Sequence, residues 1–131
     1  MKKVAVIGAG ISGLFIANLF KRNEKYQVTI FERNSSINLK EGYGIQLSVN
    51  SIKLLNKIQF DKLENSEKFN PDKINFYSIK NFNKISELNI SDFNTENCKY
   101  TTLKRSSLID FLKKDLSLIH ISEPTRQNQI A

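Results

Sequence analysis

Lys2-Lys-Val-Ala-Val-Ile-Gly8-Ala-Gly10-Ile-Ser-Gly13-Leu-Phe-Ile-Ala-Asn-Leu-Phe-Lys-Arg22, followed by Val28-Thr-Ile-Phe-Glu32-Arg33, is the stretch that decides the fold. A β-branched run (Val4, Val6, Ile7) leads into three glycines at G-x-G-x-x-G spacing. A helix that is apolar nearly all round opens behind them (Leu14, Phe15, Ile16, Ala17, Leu19, Phe20), and a second strand ends in an acid. Each glycine has its own task. Gly8 lets the chain turn sharply out of the strand, Gly10 has no side chain to hold a pyrophosphate off the backbone, and Gly13 lets the helix come close to the sheet. The turn Gly8-Ala9-Gly10-Ile11-Ser12-Gly13 thus presents unpaired N–H groups and the positive end of a helix dipole to phosphates. Glu32 stands nineteen positions after Gly13, near the roughly 20 expected of a carboxylate that accepts hydrogen bonds from an adenosine ribose. A lone glycine triplet is weak evidence; the strand before it, the helix behind it and the acid after it make the dinucleotide-binding pattern.

The same run from Val4 to Phe20, preceded by Met1-Lys2-Lys3, superficially resembles a signal peptide or a membrane span. Three glycines, Ser12 and Asn18 interrupt it, it is short for a span, and no small-residue cleavage site precedes Lys21-Arg22, so neither export nor a stable membrane span is expected. At 131 residues there is room for one domain, and 40% hydrophobic content with nine phenylalanines indicates a packed core rather than disorder. The single cysteine, Cys98, excludes an internal disulfide and fits a reducing cytoplasm. With His120 the only histidine and no Cys/His cluster, no metal site is proposed. The formal charge of +7 is spread along the whole chain among abundant Asn and Ile, which points to an AT-rich codon bias and not to a nucleic-acid-binding face. Such a field would still steer a phosphate-bearing cofactor.

After Arg33 the polar residues 34–41 read as a loop, and Gly42 to Leu47 as a glycine-flexed approach to a short strand. Asn50 or Ser51 is expected to cap a helix carrying Ile52, Leu55 and Ile58 on one side. Ile74 to Ile79 and Ile85 to Ile90 predict a hairpin around Asn81-Phe82-Asn83, and Asn94 to Asn97 another turn. Tyr100 to Leu103 reads as a short extended piece, leading to a helix capped near Ser106 or Ser107 with Leu108, Phe111 and Leu112 on its apolar face.

Two downstream motifs narrow the class: Gly42-x-Gly44-Ile45-x-Leu47 followed by Asn50-Ser51, and Arg105-x-x-Leu108-x-x-x-Leu112. With the glycine turn they resemble the FAD-dependent aromatic-ring hydroxylases, the group that includes para-hydroxybenzoate hydroxylase, over Met1 to about Asp115. The resemblance implies an α/β, Rossmann-like FAD/NAD(P)-binding start with an inserted β-hairpin, left incomplete. It implies that Gly8, Gly10 and Gly13 hold the FAD pyrophosphate, Glu32 the adenosine ribose, and that Arg33 lies beside the adenine. It also implies that Gly44, Ile45 and Gln46 run near the flavin end and that Arg105 reaches the ribityl and phosphate region. An arginine at a helix start is badly placed for the dipole and wants an anionic partner, which agrees. In such enzymes the flavin carries the oxidation chemistry with NAD(P)H and oxygen on a small-molecule substrate, so no catalytic acid or base is expected in this stretch. Other Rossmann-type FAD oxidoreductases, of the amine oxidase or halogenase type, and a plain NAD-binding module are the alternatives. Residues 35–41 lack the glycine- and arginine-rich loop an amine oxidase would carry.

Leu116-Ser-Leu-Ile-His-Ile-Ser-Glu-Pro-Thr-Arg126 resembles the conceptual translation of a transposase adapter used in sequencing libraries, with Gln127 to Ala131 where index bases would follow. The expected division is therefore a partial FAD-binding domain at 1–115 and a non-native tail at 116–131, in which His120 has no biological meaning. The later Gly-Asp flavin motif and substrate-binding sheet of the family are absent, so the isolated chain is expected to fold poorly, to bind FAD weakly or not at all, and to be inactive.

Overall fold

The computed structural model describes residues 1–33, 43–114, 116 and 121–122. The loop expected at 34–41 and the tail at 117–120 and 123–131 lie outside them, as does Asp115. The chain forms two compact units, Met1–Gly42 with Ser106–Ala131, and Tyr43–Arg105.

In the first unit β1 (Lys2–Ile7) and β2 (Tyr26–Phe31) pair in parallel across α1 (Ile11–Lys21), with Val4 opposite Val28 and Val6 opposite Ile30. Parallel strands need such a crossover, and the helix supplies it. Alternation puts Val6, Val28 and Ile30 on the buried face, whereas Ile7 is 81% exposed on the other. Leu14, Ala17 and Asn18, spaced i, i+3, i+4, form the buried stripe of α1. A short strand β7 (Ile121–Ser122) pairs in parallel with the far side of β2, giving the order β1-β2-β7. The βαβ start expected from the sequence is present.

Helix α3 (Arg105–Lys114) belongs to this unit from Ser106 onward and buries Leu108, Ile109 and Leu112. Two expectations are corrected here. The helix begins at Arg105, directly off a strand, so Ser106 and Ser107 lie inside its first turn and do not cap it. Ile109 takes the buried place expected for Phe111, which is only half-buried, because the buried stripe lies on the other side of the Leu108–Leu112 line. Asn18 joins α1 to α3: its Nδ2 donates to the Leu14 carbonyl at 2.9 Å and to the Leu112 carbonyl at 2.8 Å. A buried carboxamide needs such partners.

In the second unit β3 (Gly44–Leu47) runs antiparallel to β6 (Thr101–Lys104), with Ile45 opposite Leu103 and Gln46 opposite Thr102. Helix α2 (Val49–Leu55) follows β3 and buries Ile52 and Leu55. A left-handed Gln59 (φ 68°) then turns Ile58 and Phe60 inward, both at most 3% exposed. Asn50 and Ser51 do not cap α2. Ser48, extended at φ −67° and ψ 163°, occupies the cap position, and its carbonyl accepts from Ile52 N at 3.0 Å, while its hydroxyl makes no cap bond. The predicted hairpin is present as β4 (Lys73–Tyr77) and β5 (Lys84–Asn89), closed by a turn in which Phe82 takes φ 55°.

Candidate functional site

The site in the first unit begins where β1 leaves the sheet. Gly8 has φ +92°, a conformation that side-chain-bearing residues rarely adopt. Its N–H donates to the Phe31 carbonyl at 2.7 Å, tying the turn to the end of β2. Ala9 follows, buried, and its N–H donates to Glu32 Oε2 at 2.7 Å. Glu32 thus stands against the turn, half-buried, and clamps it across a separation of 23 residues. Arg33 next to it is exposed.

Gly10 is the N-cap of α1, and the first bond of the helix runs from Leu14 N to the Gly10 carbonyl at 2.9 Å. The N–H groups of Ile11, Ser12 and Gly13 precede that bond and have no intrahelical acceptor. No side chain caps the helix, and no acid occupies its first turn. Three donors and the dipole therefore meet at one end, an arrangement suited to an anion.

The glycines differ in what demands them. A Cβ on Gly13 would lie 2.0 Å from the Gly8 carbonyl oxygen and 3.4 Å from Val6 Cγ1, so the helix could not sit against the turn and β1 with any larger residue. A Cβ on Gly10 would meet nothing within 4 Å, and its φ of −73° suits any residue. Nothing among the described residues asks for glycine there.

The second unit brings together two segments far apart in sequence. Gly44 is opposite Lys104 in the β3–β6 ladder, and Arg105 N donates to the Tyr43 carbonyl at 3.0 Å, so Gly44 and Arg105 share one end of that sheet. A Cβ on Gly44 would also meet nothing within 4 Å. Ile45 is half-buried, and the exposed Gln46 accepts a hydrogen bond from Tyr100 Oη at 2.9 Å. Arg105 is partly buried at the start of α3, an unfavourable end of the dipole for a cation. Sequence reasoning missed the Glu32 clamp on Ala9 and the α1–α3 bridge by Asn18; a lone carboxamide inside an apolar helix was the available signal for the second.

The fold of this unit is a Rossmann-like βαβ start, and residues 6–39 match the family described as NAD(P)-binding Rossmann-like domain. Nearly the whole chain also overlays the solved structures of larger oxygenases. Tetrameric 2-methyl-3-hydroxypyridine-5-carboxylic acid oxygenase is 20% identical with TM-score 0.74, over 94% of this chain and 31% of that one. The 2,6-dihydroxypyridine-3-hydroxylase from Arthrobacter nicotinovorans is 16% identical with TM-score 0.68, over 93% of this chain and 28% of that one. Klebsiella pneumoniae HpxO complexed with FAD and uric acid is 16% identical with TM-score 0.72, over 88% and 28%. The fold is theirs, and the chain spans about a third of their length. A search of curated proteins found no match.

Proposed function

We propose that residues 1–115 are the N-terminal FAD-binding part of a flavin-dependent monooxygenase that acts on a small organic substrate with NAD(P)H and oxygen. The observation that carries the cofactor-binding part of this is Gly10: neither its backbone angles nor any neighbouring atom among the described residues requires glycine, and it stands before three helix N–H groups without an intrahelical acceptor. FAD fits the residues present. The turn from Gly8 to Gly13 would hold its pyrophosphate, and Glu32, already fixed against Ala9, would receive the adenosine ribose beside Arg33. Gly44, Ile45, Gln46 and Arg105 are the residues for its ribityl and flavin portions, and the guanidinium suits a phosphate or polyol. Bound FAD would supply the electron transfer from NAD(P)H and the activation of oxygen. This chain's own residues bind and orient the cofactor; none of them is assigned a proton-transfer role.

What favours FAD over NAD in the same unit is the overlay on HpxO, solved in complex with FAD, across most of the chain, not the βαβ segment alone. The adapter-like residues 116–131 are taken as non-native, the present chain as inactive, and the parent, with its free Cys98, as cytoplasmic. The test is to sequence the source locus across codon 115 from unfragmented DNA, then to express the recovered frame. A frame continuing for several hundred codons and a purified protein retaining stoichiometric flavin are expected. Codons for 116–131 followed by a stop would overturn the assignment of the tail, and a full-length protein that binds NAD(P) but no flavin would overturn the assignment of FAD.

A further inference from the structure

The ladder of β3 and β6 has a buried face and an open one. Thr101 and Leu103 are buried and Ile45 and Leu47 half-buried, whereas Gly44, Gln46 and Lys104 are exposed. Alternation along β3 puts Gly44 and Gln46 on the same face. A Cβ on Gly44 would meet nothing within 4 Å, so no described residue crowds that face beside Gln46.

Tyr100 reaches Gln46 from the residue before β6. Gln46 stands opposite Thr102, which makes Tyr100 its diagonal neighbour, and a diagonal pair lies within reach of an aromatic side chain. The Tyr100 hydroxyl donates to Gln46 Oε1 at 2.9 Å. The backbone of this tyrosine is itself pinned on both sides by asparagines. Tyr100 N donates to Asn94 Oδ1 at 2.7 Å, and Asn70 Nδ2 donates to the Tyr100 carbonyl and to Thr101 Oγ1, both at 2.9 Å. The buried Thr101 hydroxyl in turn donates to the Lys99 carbonyl at 2.8 Å. A half-buried ring on a backbone held in this way is a rigid arm for its hydroxyl.

A carboxamide has two ends of opposite sense, an acceptor oxygen and an NH2 with two donors. With Oε1 taken by Tyr100, the Nε2 group is the end left over, and no described residue accepts from it. We propose that Tyr100 is a positioning residue: its hydroxyl fixes the sense of the Gln46 carboxamide, so that the Nε2 hydrogens are presented to a ring carbonyl of the flavin portion of FAD. This rests on the reading of Gly44, Ile45 and Gln46 as residues for that portion. A ring carbonyl accepts and cannot donate, so a carboxamide turned the other way would oppose it oxygen to oxygen.

The experiment uses the full-length protein freed of flavin, titrated with FAD and separately with ADP, which carries the adenosine and pyrophosphate but no flavin. Tyr100→Phe, which removes one oxygen, should weaken FAD about three- to tenfold, the worth of one hydrogen bond, and leave ADP affinity unchanged. Gln46→Leu should do the same, and the double variant should bind FAD no more weakly than Gln46→Leu alone, because the hydroxyl acts through that side chain. Gln46→Glu keeps an acceptor for Tyr100 but has no N–H, and it should lose FAD affinity as Gln46→Leu does. Tyr100→Phe with the parent's FAD affinity would overturn the proposal. Equal losses of FAD and ADP, which mark a merely structural role, would do so too, as would additive losses in the double variant or a Gln46→Glu protein that binds FAD like the parent. A parent that binds ADP but no FAD refutes the cofactor reading beneath it, whereas a parent that binds FAD beside an unaltered Tyr100→Phe refutes this inference alone.

Discussion

Replacing Gly13 with alanine puts one methyl group where the structure has no room. The new Cβ would stand 2.0 Å from the Gly8 carbonyl oxygen, whereas ordinary contacts lie at 3.4–4 Å, and the obstacle is backbone that cannot rotate aside. Either α1 retreats from β1 or the turn reshapes, and both strain the Gly8–Phe31 and Ala9–Glu32 hydrogen bonds. Overpacking of this kind costs about 1–3 kcal/mol. Alanine returns about 1 kcal/mol through its better helix propensity, so a net loss of up to about 2 kcal/mol is expected. Gly10→Ala is the control. Its Cβ meets nothing and its φ is ordinary, so stability should hold or rise by up to about 1 kcal/mol. Both variants should lose flavin, Gly13→Ala through a displaced turn and Gly10→Ala through a methyl group in the phosphate's place. Urea unfolding of the full-length protein beside a flavin titration reads both quantities. Gly13→Ala as stable as Gly10→Ala would refute the packing argument, and Gly10→Ala with undiminished flavin affinity would refute the phosphate argument.

Asn18→Ala should destabilise the protein by about 1–3 kcal/mol, because it leaves the buried Leu112 carbonyl without its cross-helix donor; a shift in urea midpoint indistinguishable from zero would show that the bridge is dispensable. Arg105→Ala should lower flavin retention of the full-length protein with little change in thermal midpoint, and unchanged flavin content would count against its cofactor role. Glu87 should titrate below the roughly 4.3 of a free glutamate, since Lys84 and Lys73 hydrogen-bond its ionised form. With a depressed folded-state pKa, its contribution to the hairpin is present above the unfolded value and fades as pH falls through the folded one. Carbon-detected NMR titration should show Glu87 with a midpoint below that free value, and the double change Lys73→Ala with Lys84→Ala should move it back up.

By itself the sequence determined the βαβ start, its glycine turn and the acid after β2, because these are local. A strand-to-helix turn needs its glycines at fixed offsets, and the acid ends the next strand whatever else the chain does. The hairpin at 73–89 was legible for the same reason, two β-prone runs meeting at an Asn-rich turn. Only the tertiary structure decided which constraint each glycine answers: φ at Gly8, the close backbone at Gly13, and none among the described residues at Gly10. It also decided that Glu32 grips Ala9 N, that Asn18 bridges two helices, and that Gly44 and Arg105 meet at one end of β3–β6. The helix starts at Val49 and Arg105 escaped sequence reading because no side chain caps the first and the second begins directly off β6; the strands that precede them set where they begin. Such features depend on pairing between residues distant in sequence. Register and packing choose those partners, and no local pattern of residues carries that choice.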